Sequence, residues 1–280
     1  MTGFELDALG AAVERPDEEA KRARREQLSS TASRGRLDDL SGWLSGVQGT
    51  APPRPLERVR MLLLGGEAPG TVDLAAAVGC QVHAMTASGS GTAVAFRSGV
   101  EAVDAQVDRG VDLLVLAVVD PAVDVPAGAL VGLLTRTDAS AVTSRGATID
   151  DAGWMTRCAA VRDLMRRGRP VLADQVELLD ATGSPALAAA TGVLLQAAVR
   201  KTPVLLDGPA TAAAALVAQR IAFRAVDWWV ASHRSPEPAH DRALDRLGLE
   251  PLLDLSIRTE DGTGALLAVP VLRAAATLGT

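Results

Sequence analysis

The feature that most narrows the fold of this chain is a series of short, largely apolar runs that do not alternate with polar residues. They are Met61–Leu64 (MLLL), Gln81–Met85 (QVHAM), Leu113–Val119 (LLVLAVV), Ala141–Val142 with its surroundings, and Pro203–Leu206 (PVLL). A strand with one face in water alternates, whereas these runs do not, so both faces need cover. Helix-like stretches lie between them at Ser98–Arg109, Met155–Arg167 and Pro185–Val199. The pattern predicts an α/β protein with a parallel, Rossmann-like sheet flanked by helices. In such open sheets ligands sit beyond the carboxyl ends of the strands, where Gly-rich loops lead into helices.

The chain ends read differently. Residues 14–28 (ERPDEEAKRARREQL) carry dense mixed charge at helical spacing, acids first and bases last, and predict a solvated helix. Leu37–Val47 repeats apolar residues at helical spacing, and APPRPLE (Ala51–Glu57) reads as a linker because proline removes donors and fixes φ. The expected division is an N-terminal helical arm over 1–57, an α/β core over 58–250, and a C-terminal segment over 251–280. Arm and C-terminal segment together would form a small helical domain.

Composition excludes several function classes. With 2% aromatic residues and no Tyr, stacking platforms for bases are nearly absent, and a net charge of −6 argues against nucleic acid. Cys80 and Cys158 stand far apart with no metal-type spacing, which predicts two reduced thiols in the cytoplasm and no metal. The N-terminus is acidic and lacks an apolar signal core, and no apolar run approaches the ~20 residues that span a bilayer. A cytoplasmic protein without a membrane partner is expected.

Three segments carry chemistry. In Arg258–Pro270 (RTEDGTGALLAVP) an acidic pair runs into Gly-Thr-Gly and a helix-like stretch whose N-terminus could take a phosphate. Glu260 and Asp261 are candidate bases there, with Gly262, Thr263 and Gly264 lining the site; the plainer alternative is that Asp261 caps the following helix. In Leu206–Thr211 (LDGPAT), Asp207 and Gly208 could face substrate, or Asp207 or Thr211 could cap a strand-to-helix turn. Ala231–His240 (ASHRSPEPAH) holds His233 and His240, but Pro236 and Pro238 break any helical metal-binding face, so the histidines read as loop anchors.

Together these segments resemble the nicotinate-nucleotide:dimethylbenzimidazole phosphoribosyltransferase family, which makes the lower ligand of cobalamin. The family reads R-L-G-E-G-T/S-G-A-A-L where this chain has RTEDGTGALL, and its glutamate is the general base; that position holds Asp261 here, with Glu260 one residue early. The family's P-V-V-L-D-G-F and A-S-H-x-S-x-E-P-G-H match Pro203–Gly208 and Ala231–His240, and TIDDAGW (Thr148–Trp154) also matches, with Arg157 at a usual lysine. Elsewhere the chain departs from the pattern. The phosphoribosyl-binding G-E-M-G-I-G-N-T-T-P-A-A-A-L appears as AVVDPAVDVPAGAL (Ala117–Leu130), with Asp120 a stand-in for the lost carboxylate if the backbone slides by two residues. The K-P-P-G-S-L-G-R-L signature appears as SSTASRGRL (Ser29–Leu37), G-D-H-G-V as GGEAPG (Gly65–Gly70), and V-G-G-x-D/E as Thr182-Gly183-Ser184. The block that helps form the benzimidazole pocket is missing.

The resemblance implies a homodimer that needs no cofactor and moves ribose 5-phosphate from nicotinate mononucleotide to an aromatic nitrogen base. Asp261 or Glu260 would be the base, and Asp207, Gly208, Gly262, Thr263, Gly264, Gly183, Ser184, Arg157 and Asp120 would contact substrate. The departures keep two alternatives in view: a non-catalytic paralogue that binds ligand or pairs with a full-length family member, and an enzyme with the same donor and another acceptor.

Overall fold

The structure is a computed structural model, and it describes residues 3–30, 32–86, 91–145 and 149–279. Thr31 and Thr148, within two of the motifs above, lie outside the described residues. In chain order the elements begin with three helices: α1 (Gly3–Ala11), α2 (Glu18–Leu28) and α3 (Arg36–Gln48). Strands then alternate with helices: β1 (Val59–Gly65), α4 (Pro69–Ala77), β2 (Cys80–Met85), α5 (Thr92–Val107) and β3 (Leu113–Val119). A helical stretch follows: α6 (Asp124–Thr135), α7 (Ala139–Val142), α8 (Asp151–Gly168), α9 (Gln175–Thr182) and α10 (Pro185–Val199). The chain closes with β4 (Val204–Leu206), α11 (Gly208–Ile221), β5 (Trp229–Ala231), α12 (Pro238–Leu247) and α13 (Thr263–Ala276).

The five strands form one parallel sheet in the order β2-β1-β3-β4-β5, a doubly wound order whose direction switches between β1 and β3. The side chains of β3 and β4 are buried along both faces, apart from the half-buried Val119 that ends β3, which is why their sequences do not alternate. α5 packs along α10, α11 packs against α6, α10 and α12, and α13 packs against α3, α4 and β3. The N-terminal arm therefore meets the C-terminal helix through α3.

Three expectations need correction. Ala141–Val142 lies in the short helix α7 and is not a strand: two apolar residues are too few to set a period, and the chain turns helical after Asp138. The charged helix begins at Glu18 and not at residue 14, because Pro16 precedes Asp17, whose carboxylate caps the helix by accepting from Glu19 N and Ala20 N at 2.9 Å each. The sheet also has a strand, β5, that the apolar runs missed, because its three residues are flanked by Trp228 and by a loop rich in proline and histidine.

Candidate active site

The carboxyl ends of β3, β4 and β5 lead directly into Asp120, Asp207 and Ser232-His233, so the fold gathers these segments at one end of the sheet. There a cavity of about 430 Å³ is lined by Asp120, Asp124, Glu237, Glu260 and Asp261, with Arg157 and Arg258 as its cations. A recess of about 30 Å³, walled by Gly128, Val142, Val161 and Pro209, shares Asp124, Arg157, Glu237 and Glu260 with it. The recess is the narrow inner end of the same acid-lined chamber. A larger groove of about 970 Å³ opens at the other end of the strands, where its Arg200 and Lys201 are already paired with Asp104, Asp108 and Glu14.

The two candidate bases are in different situations. Asp261 Oδ1 accepts the backbone N–H of Thr263 at 3.0 Å, so this carboxylate caps the helix that follows it. Burial pushes its carboxyl up, but hydrogen bonds from Thr263 and Thr259 outweigh that and hold it below the ordinary aspartate range. Glu260 is not held in that way and lies over Gly208, where an added Cβ would come within 3.5 Å of Glu260 Cγ. Burial, with the neighbouring charges of Asp124, Glu237 and Asp207, drives its carboxyl up to about 8, and Arg157 only partly offsets this. Of the two candidate bases, Glu260 is therefore the one that keeps its proton in neutral solution.

The other acids follow the same logic. Burial raises Asp124, which Arg157 approaches at 3.7 Å, and it raises Glu237, which a hydrogen bond from Ser144 pulls back down. Acid-rich and short of free cations, the chamber is a poor seat for a phosphate unless the anion meets Arg157 or Arg258.

Asp207 does not face the cavity, and it does not cap its own helix α11. Its buried carboxylate accepts Gly262 N at 2.9 Å and Ala265 N at 2.8 Å, and so caps α13 from across the fold. Thr211 closes the α11 turn by donating its hydroxyl to the carbonyls of Asp207 and Gly208. The start of α13, expected to be open to a phosphate, has the amides of Gly262, Thr263 and Ala265 occupied by carboxylates. The turn demands glycine at two places: at Gly262 (φ +93°) a Cβ would lie 1.9 Å from Met61 Cε, and at Gly264 it would lie 2.1 Å from His233 Nδ1.

The histidines are structural. Ser232 donates its hydroxyl to Leu206 O at 2.6 Å, so the 3.0 Å contact with His233 Nδ1 is a donation from the ring. Burial keeps His233 below its ordinary range, so its 3.6 Å approach to Asp207 is a contact of a neutral ring and not an ion pair. His240 anchors the loop by accepting Ser235 N–H at 3.2 Å, and burial lowers it to about 3. Gly183 ends α9 and Ser184 caps α10 by accepting Leu187 N at 3.4 Å; neither lines the cavity. Among the described residues no group of three or more His, Cys, Asp or Glu is placed to hold a metal ion, and no helix is long and apolar enough to cross a membrane.

Comparison with known proteins decides the lineage. Residues 72–280 match a family model described as "Phosphoribosyltransferase". The nicotinate-nucleotide–dimethylbenzimidazole phosphoribosyltransferase of Streptomyces avermitilis is 42% identical over 340 aligned positions, covering 99% of this chain and 91% of the relative. This chain belongs to that phosphoribosyltransferase family. The Mycobacterium tuberculosis relative of the same name is 38% identical over 334 positions, covering 98% of this chain and 91% of its own length. A crystal structure of the corresponding protein from Thermus thermophilus superposes with a TM-score of 0.83 over 93% of this chain and 95% of the other; at 24% identity, that likeness shows the fold. An alignment of 340 positions against 280 residues leaves at least 60 positions that the Streptomyces relative has and this member of the family lacks.

Proposed function

We propose that this chain performs the transfer for which its relatives are named, with Glu260 as the base. The 5-phosphoribosyl group of nicotinate mononucleotide passes to a ring nitrogen of a benzimidazole-type base. The C1′–N bond to the pyridinium breaks, and its electron pair leaves with nicotinate. A new C1′–N bond forms to the acceptor, whose N–H proton moves to Glu260. Such a base typically contributes about 10²–10⁴-fold. The observation that carries this reading is the placement of Glu260, half-buried in the cavity among Asp124 and Glu237 while Asp261 is committed to the helix cap. A cationic pyridinium beside these acids favours the ionised form of Glu260, so donor binding itself arms the base.

On this reading Asp120, Arg157 and Arg258 meet the donor, and Gly208 forms the floor under Glu260. The working unit is a cytoplasmic homodimer that uses no cofactor. Its expected oligomeric state is checked by sedimentation velocity.

Purified protein incubated with nicotinate mononucleotide and dimethylbenzimidazole should release nicotinate. Glu260→Gln should abolish most turnover, with Asp261→Asn changing it less than about tenfold. No release at high enzyme concentration would sink the proposal. The shortfall of at least 60 aligned positions favours a second reading, in which the donor is kept but another acceptor is used, or the chain binds ligand or a full-length relative without turnover. Calorimetry with nicotinate mononucleotide, a panel of benzimidazoles and the intact enzyme separates these cases.

A further inference from the structure

Asp207 is completely buried, yet its carboxylate makes no contact with the cavity and has no lysine or arginine partner among the ion pairs of the described residues. Its two oxygens are spent on Gly262 N at 2.9 Å and Ala265 N at 2.8 Å, more than fifty residues further along the chain. The helix it caps has no N-cap side chain of its own, since the N-cap position is Gly262. Met61 packs beneath that glycine and His233 packs behind Gly264, so apolar and neutral groups define the shape of the turn. Asp207 is the charged group on the inner side. It holds the turn by its amides, and the next residue, Gly208 (φ +73°), lies directly beneath the Glu260 side chain.

We propose that Asp207 is the positioning residue of this site: by gripping the first turn of α13 while its neighbour Gly208 supports Glu260, it fixes where the Glu260 carboxylate points. The turn and the floor then move as one unit, because both belong to or are bonded to the same β4–α11 junction. An ionised carboxylate completes two short N–H···O bonds at a helix N-terminus, where the helix dipole also favours negative charge. Burial opposes that charge and raises Asp207 to about 7, so the grip is strongest in neutral to alkaline solution, the range in which Glu260 must ionise.

The inference rests on the proposed transfer only for its turnover arm. Asp207→Asn keeps the shape and one acceptor oxygen but cannot serve both amides. It should lower kcat about 10²-fold, the order expected when a base is misplaced by ~1 Å, with KM for nicotinate mononucleotide changed less than about threefold. Asp207→Ala should lower it further. In substrate-free protein, hydrogen exchange at Gly262 and Ala265 should quicken in Asp207→Asn, and the nuclear Overhauser contact between the Glu260 side chain and Gly208 should weaken.

Wild-type kcat in Asp207→Asn, or an exchange rate and a Glu260–Gly208 contact identical to wild type, overturns the proposal. A purely structural role would lower the melting temperature and leave kcat per folded molecule and the Glu260–Gly208 contact unmoved. Should the wild-type protein release no nicotinate, the transfer reading fails, and the exchange and contact arm still decides the role of Asp207. Should Asp207→Asn not fold, Asp207→Ser, smaller and with a single acceptor oxygen, is read in the same way.

Discussion

The imidazole of His233 occupies the space that any side chain on Gly264 would need, with a Cβ there lying 2.1 Å from Nδ1. Both residues are buried, and His233 is tied to β5 through Ser232, so neither can step aside. Gly264→Ala should destabilise the protein by about 1–3 kcal/mol or more through overpacking. Adding His233→Ala should recover part of that loss, giving a coupling of at least about 0.5 kcal/mol. Urea unfolding of both single variants and the double variant measures it; strictly additive losses would show that the contact is relieved elsewhere.

Glu260 should cost stability as the solution becomes alkaline. In the unfolded chain it ionises near the ordinary glutamate value of 4.5, whereas in the fold burial holds the proton until about 8. Between those values the folded state binds the extra proton, so stability falls as pH rises and levels off above the folded value. Glu260→Gln removes this dependence. It should stabilise the protein at pH 8 relative to pH 5 by about 1–2 kcal/mol, a figure reduced for the open side of the cavity. Denaturant midpoints at the two pH values test this, and equal shifts at both would show that Glu260 ionises normally.

The same proton should appear in the kinetics. As a base, Glu260 gives kcat/KM a limb that rises with pH toward a midpoint near 8 in the free protein. Arg157 pulls Glu260, Glu237 and Asp124 downward together. Removing it in Arg157→Ala should move the limb to higher pH by about half a unit. A pH profile of initial rates checks this, and a shift to lower pH would show that Arg157 does not face Glu260.

The parts legible in the sequence were those whose physical cause is local. β3 and α10 were read over their full span because all but their end positions obey one burial rule: β3 is covered on both faces, and α10 is wrapped by α5 and α11. β5 is only three residues long, and its strand character comes from pairing with β4, a contact that no local pattern encodes. In the site, the acidic pair before Gly-Thr-Gly located the carboxylates, but sequence could not assign their duties, since that depends on which one Thr263 N captures. Glu237 was missed as a cavity residue; its one available signal was its place in the loop after β5, beside the histidines that drew attention instead. The trans cap by Asp207 was beyond reach for the same reason as β5: helix capping rules look at neighbours in sequence, and this cap comes from another loop.

Arg24 offers a test that separates folding of the chain ends from the site. It is 2% exposed and joins three segments, donating Nε to Ser41 Oγ at 2.8 Å, Nη1 to Gln27 Oε1 at 3.1 Å, and Nη2 to the carbonyl of Leu278. Arg24→Met keeps an unbranched apolar stem but leaves the Ser41 and Leu278 acceptors without their donor, and should cost about 2–4 kcal/mol. The far half of α13 keeps a second tether, because Arg273 donates to the carbonyls of Leu56, Val78 and Gly79, while its first turn stays on Asp207. The expected result is therefore a lower melting temperature with an unchanged Glu260 titration. If that titration moves along with the melting temperature, strain at the C-terminal end of α13 reaches its first turn, and the site depends on the N-terminal arm as well as on Asp207.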